Sequence, residues 1–88
     1  MNKKSLAELI ERIKDTNPLA ITFDGLDKAI IGIGGQYGKN QLVIYSATKI
    51  VKCLVADGMT LDEAIEYYNF NIECLWAGDH TPIIMDDF

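Results

Sequence analysis

The sequence predicts an α+β domain, a small antiparallel sheet with helices on one face, in the order α-β-β-β-α-α-β. Three observations carry this expectation. Apolar, β-branched runs flank a glycine-rich stretch, Lys28–Ile33 and Gln41–Tyr45 around Gly34–Asn40. Two amphipathic helical patterns come next, joined by the stop-and-start signal Asp57–Thr60, and another helical pattern opens the chain. Strands grouped ahead of helices point to a segregated α+β arrangement rather than alternating α/β units.

The first helix is predicted at about residues 5–15. Ser5-Leu6-Ala7-Glu8 reads as a capping box, and Leu6, Leu9, Ile10 and Ile13 form one apolar face. Asn17-Pro18 stops it, because a residue before proline is driven out of the helical region. Leu19–Phe23 is β-rich and reads as a first strand, with the turn signal Asp24-Gly25 after it. Lys28–Ile33 is nearly all apolar, as expected of a central strand or one whose second face is masked by a loop. It pairs with Gln41–Tyr45 as an antiparallel hairpin.

Ser46 or Thr48 caps the second helix, whose buried face is Ala47, Ile50, Val51, Leu54 and Val55. Asp57-Gly58 stops it, since glycine tolerates the left-handed conformation. Thr60-Leu-Asp-Glu63 is a second capping box, with Met59 placed for a hydrophobic staple. The third helix is expected to bury Leu61, Ala64, Ile65, Tyr68, Ile72 and Leu75, and to leave Tyr67, Phe70 and Cys74 as a neighbouring apolar strip. Thr81–Met85 is a last short strand with proline near its start, and Asp86–Phe88 is expected to fray.

Eighty-eight residues make a single domain, 1–88, with one core. A hydrophobic fraction of 49% with 24% charged residues is that of a globular chain, not a disordered one. No apolar run approaches the ~20 residues of a membrane span. Glu8, Glu11 and Arg12 interrupt the stretch after the basic start, so no secretory signal is read there. The expectation is a cytoplasmic protein without membrane contact. Cys53 and Cys74 then read as free thiols, and neither sits in a zinc pattern. The net charge of −5 and scattered Lys and Arg exclude a nucleic-acid-binding face and fit a basic partner.

No catalytic constellation emerges, and neither a cofactor nor a metal site is expected. Gly32–Lys39 fails both nucleotide-loop patterns: Ile33 stands where the phosphate loop needs its first glycine, Tyr37 where the dinucleotide loop needs its third, and a strand comes next instead of a helix. Asp24, Asp27 and Asp79 match no calcium loop. His80 is the sole histidine and lacks a nucleophile-elbow partner. The aromatics Tyr37, Tyr67, Phe70 and Trp76 fit either a core extended against a sheet edge or an interface, whose centres are rich in such residues. Asn69 and Asn71 are poor helix formers, so either the helix breaks near them or, the preferred reading for Asn71, a side-chain amide holds the loop Trp76–Pro82. The candidate partner- or ligand-binding residues are therefore Tyr37, Tyr67, Phe70, Asn71, Trp76, Asp79, His80 and Thr81.

Phe23–Gly34, Leu42–Ile72 and Trp76–Pro82 resemble a widespread group of small uncharacterised proteins of bacteria and their phages. The shared pattern is an apolar strand ending in glycine (Gly32), a strand ending in Tyr45, Asp57-Gly58-Met59 before an acidic helix, Phe70-Asn71, Gly78 and Thr81-Pro82. It spans about residues 22–84; Cys74-Leu75 departs from it where small residues are usual. The resemblance implies no activity, but it implies a phage-type accessory protein.

Three functional readings fit these residues. The first is an acidic, non-enzymatic accessory protein that binds and inhibits a host protein, such as a basic or nucleic-acid-binding defence nuclease. A homo-oligomer is expected through Tyr67, Phe70 or Trp76, unless the first helix covers that strip. The alternative is a binder of a small nucleotide-type ligand, in a pocket between the Asn71 helix end, the Trp76–Pro82 loop and the glycine hairpin. The third is a hydrolase using His80.

Overall fold

The computed structural model describes residues 6–73 and 75–88; the Ser5 cap and Cys74 lie outside them. The elements are α1 (Leu6–Thr16), a 3-10 turn (Asp27–Ala29), β1 (Ile30–Gly34), β2 (Leu42–Ser46), α2 (Ala47–Ala56), α3 (Leu61–Tyr68), a π-helical turn (Asn69–Glu73) and β3 (Ile83–Met85). The α+β class and the general order are as the sequence predicts.

The sheet itself is mixed. β1 runs antiparallel to β2, with Ile33 opposite Val43 and Ile30 opposite Tyr45, and an irregularity between Ile30 and Gly32. β3 runs parallel to β2, with Ile44 beside Ile83 and Tyr45 beside Ile84. A parallel neighbour needs a long crossover, and α2 with α3 supplies it. The strand order β1-β2-β3 makes β2 the centre and leaves β1 on an edge, the reverse of what the apolar run at Lys28–Ile33 suggests.

Leu19–Phe23 does not join the sheet. Its amides are satisfied singly: Ile21 donates to the His80 carbonyl at 3.1 Å, and Phe23 donates to the Tyr45 hydroxyl at 2.8 Å. With its donors taken by a loop and a side chain, the segment is a strap over the core. The Phe23 ring lies 4.9 Å from the Tyr45 ring, tilted by 41°.

Alternation along β2 turns Val43 and Tyr45 into one cluster with Ile13 of α1, Ile50, Val51 and Leu54 of α2, and Ala64 and Tyr68 of α3. Leu42 and Ile44 occupy the opposite face, beside the partly exposed Ile83. On α3 the buried line is narrower than the expected face. Ala64, Tyr68 and Ile72 are buried, while Leu61, Ile65 and Leu75 stay exposed.

Local signals end and start the helices as their chemistry requires. Gly58 has φ +112°. Its amide reaches the Val55 carbonyl at 3.0 Å, and the Met59 amide reaches Leu54 at 3.2 Å. That is a Schellman closure, with Met59 packed on the core. Thr60 and Glu63 form the expected capping box, and the two hydrogen bonds from Thr60 hold the Glu63 carboxyl below its ordinary pKa.

The C-terminus departs from the expected fraying. The Asp87 carboxylate accepts from Thr48 N at 2.9 Å and from the hydroxyls of Ser46 and Thr48. Ser46 is itself the N-cap of α2, accepting from Lys49 N at 3.2 Å. Hydrogen bonding from Ser46 and from Thr48 keeps the Asp87 carboxyl below its ordinary pKa. The Phe88 ring meets Tyr68 edge-on at 6.0 Å.

Two outcomes are expected. A Cβ at Gly58 meets no neighbour, yet Gly58→Val forces a β-branched residue into the left-handed region. The loss in chemical denaturation should be about 1–3 kcal/mol. An unchanged midpoint would contradict the junction described.

Glu63 and Asp87 are both depressed in the folded chain, so the unfolded chain binds more protons as pH falls. Their contribution is complete above the ordinary carboxylate pKa of about 4 and is lost as pH falls through the lower folded values. Asp87→Asn should lower the urea midpoint at neutral pH and shrink its further fall on acidification. A midpoint that matches wild type at neutral pH would refute the Asp87 clamp.

Candidate functional site

The eight candidate residues do not form one site. Tyr67, Phe70 and Asn71 line a shallow groove of about 340 Å³ on α3 and the π turn, completed by Met59, Glu63 and Glu66. Trp76, Asp79 and Thr81 line a second cleft of about 520 Å³ against the glycine hairpin. Tyr37 stands fully exposed at the hairpin turn. His80 faces neither and turns toward Asn17.

The α3 groove arises from the narrow buried line of that helix. With only Ala64, Tyr68 and Ile72 facing inward, Phe70 remains 75% exposed and Tyr67 43%. α1 packs against β1, so it leaves this strip open. The π turn widens the helix at Asn69–Glu73. Asn71 does not reach the Trp76–Pro82 loop: its amide nitrogen donates to the Tyr67 carbonyl of its own helix at 3.2 Å.

Carboxylates surround this face. Residues 61–73 carry Asp62, Glu63, Glu66 and Glu73 and no Lys, Arg or His. The bias is wider than the helix. Residues 1–52 hold all 8 Lys and Arg of the chain against 5 carboxylates, while residues 53–88 hold 8 carboxylates and neither base. A count of charge by halves of the chain exposes this asymmetry, which the overall balance of −5 conceals. Burial, with Glu73, Asp86 and Asp87 close by, pushes the Tyr68 hydroxyl up to about 12.

Thr81, not Asn71, shapes the Trp76–Pro82 loop. Its hydroxyl accepts from Ala77 N at 2.8 Å and donates to the Gly78 carbonyl at 2.7 Å. Across the cleft, the hairpin loop is pinched at Gly35, where a Cβ would lie 2.5 Å from the Asn40 carbonyl oxygen.

Asn17 fastens the two walls together, a role its reading as a helix stop does not reveal. It is buried, and its carbonyl oxygen accepts from Leu19 N at 3.2 Å. Its amide nitrogen donates to the Gln41 carbonyl at 2.9 Å, at the end of the hairpin loop, and lies 3.0 Å from His80 Nδ1. These contacts orient the amide, so Nδ1 is the acceptor and the ring proton belongs on Nε2. The lone pair that a general base would use is thus engaged by Asn17.

Among the described residues, no three His, Cys, Asp or Glu side chains gather to hold a metal. Cys53 is a free, half-buried thiol. No helix among them is long and apolar enough to cross a membrane. The chain matches no family model, and comparison with curated proteins and with solved structures found no match.

Proposed function

We propose that the protein is a small acidic accessory protein that binds, and by binding inhibits, a partner with a basic surface. The phage-type pattern of the sequence makes a host nucleic-acid-binding enzyme, such as a defence nuclease, the expected partner. One observation carries this reading: the α3 face combines exposed Tyr67 and Phe70 with carboxylates from a segment, residues 61–73, that itself contains no Lys or Arg. Aromatic side chains supply contact area at interface centres, and charge complementarity steers the encounter and selects the partner. The π turn beneath Phe70 fits the same reading, since such turns recur at functional sites.

The face could instead receive a second copy of the chain, but two acidic helices would repel each other across such a contact. A basic partner relieves that repulsion, and on this ground the hetero-complex is preferred to the homo-oligomer.

Affinity capture from bacterial lysate at low and high salt, followed by binding and activity measurements on the purified partner, tests the proposal. A basic protein should be retained at low salt, released at high salt and inhibited by the wild-type chain. Phe70→Glu should weaken its binding at least tenfold, the range of an interface hot spot of about 1.4 kcal/mol or more. Binding unaffected by Phe70→Glu would remove this face as the contact. A dimer in light scattering that Phe70→Glu converts to monomer would assign the face to self-association.

A further inference from the structure

The second cleft shares no lining residue with the α3 groove, and it has the parts of a small-molecule site. Leu42 and Ile83, on the outer face of the sheet where Ile83 lies beside Ile44, form part of its lining. One wall is Trp76, a residue that is 73% exposed. An exposed tryptophan on a fraying tail would mean little. Here the loop that carries it is closed by Thr81 through Ala77 and Gly78, and the strap holds it at the His80 carbonyl.

The other wall is the hairpin loop with Gln36, Lys39 and Asn40. Asn17, outside the lining, ties the segments that carry the two walls, bonded to the Gln41 carbonyl on one side and to His80 on the other. Both walls are therefore set in place without a ligand, and preorganisation of this kind lowers the cost of binding. At about 520 Å³ the cleft has the size of an ordinary small-molecule site.

The lining also selects the ligand. A flat indole face calls for a flat ring to stack on it. The side-chain amides of Gln36 and Asn40 and the carboxylate of Asp79 offer donors and acceptors to the edge of a heteroaromatic ring. Lys39 is the sole cation in the lining. One ammonium suits one anionic group, whereas a polyphosphate or a nucleic-acid strand would face the acidic charge of the chain unrelieved.

We propose that this cleft binds a planar heteroaromatic molecule carrying a single anionic group, the chemistry of a nucleoside monophosphate or a cyclic mononucleotide. The ring stacks on Trp76 and the phosphate pairs with Lys39.

Trp76 is the only tryptophan in the chain, so its emission reports this cleft directly. The probes are the adenine and guanine 5′-monophosphates, their 3′,5′-cyclic counterparts and the free nucleosides, with excitation where nucleobases do not absorb. A nucleotide should quench Trp76 saturably, and its nucleoside should bind at least tenfold more weakly. Lys39→Glu should reduce the nucleotide to the level of the nucleoside, and Trp76→Leu should abolish binding in calorimetry. Both residues are exposed, so both variants should keep the wild-type circular dichroism. Phe70→Glu should leave the titration unchanged, which separates this site from the partner-binding face. A linear form preferred over its cyclic counterpart, or the reverse, identifies the source of the anion. No saturable quenching at millimolar nucleotide would overturn the proposal, as would quenching that Lys39→Glu leaves intact.

Discussion

The junction of β2 with α2 holds the structure together. Tyr45 is fully buried in the core, and its hydroxyl accepts the Phe23 amide. Burial pushes that hydroxyl above its ordinary pKa. Ser46, the next residue, caps α2 and donates to Asp87. Two adjacent side chains thus secure the strap before β1, the start of the first crossover helix and the chain end beyond β3. Leaving the buried Tyr45 hydroxyl unpaired would cost about 1–3 kcal/mol.

A second buried polar group, Asn17, does for the loops what Tyr45 and Ser46 do for the core. It ties the end of the hairpin loop to the Trp76–Pro82 loop. His80 becomes intelligible in that light. Its Nδ1 receives the Asn17 amide and its backbone carbonyl receives Ile21, so it acts as a positioning residue for the loop. The α3 face depends on neither tie. It arises because one line of residues, Ala64, Tyr68 and Ile72, suffices to seat the helix, leaving its aromatic and acidic flank to solvent.

What could be read in the sequence was what neighbouring residues settle. The Thr60–Glu63 capping box, the glycine closure at Gly58, the hairpin and the buried face of α2, apart from Val55, which is exposed, each involve partners within a few positions or a plain periodicity. What escaped lies far apart in the chain. Asn17 meets His80 across 63 positions, and Ser46 meets Asp87 across 41. No local propensity announces either contact, so Asn17 read as a helix stop and Asp86–Phe88 as a fraying tail. Leu19–Phe23 has strand composition, but an edge position next to β1 was not what its amides found. The parallel direction of β3 likewise depends on where two helices return the chain. Of the candidate site residues, helical spacing picked out Tyr67 and Phe70 as lying off the buried face, but whether they and Trp76 belong to core or surface, and their division between two surfaces, needed the fold.

The most direct test of the central claim is amide hydrogen exchange, resolved by residue, in wild type and Tyr45→Phe. The variant keeps the buried ring and removes only the hydroxyl acceptor. The Phe23 amide should be protected in the wild type and exchange markedly faster in the variant, with Ile21 also speeding up as the strap loosens, while Ile44 within the sheet stays slow. Equal protection of Phe23 in the two proteins would mean that the strap is held by packing alone, and that the Tyr45 hydroxyl is not the tie on which the fold depends.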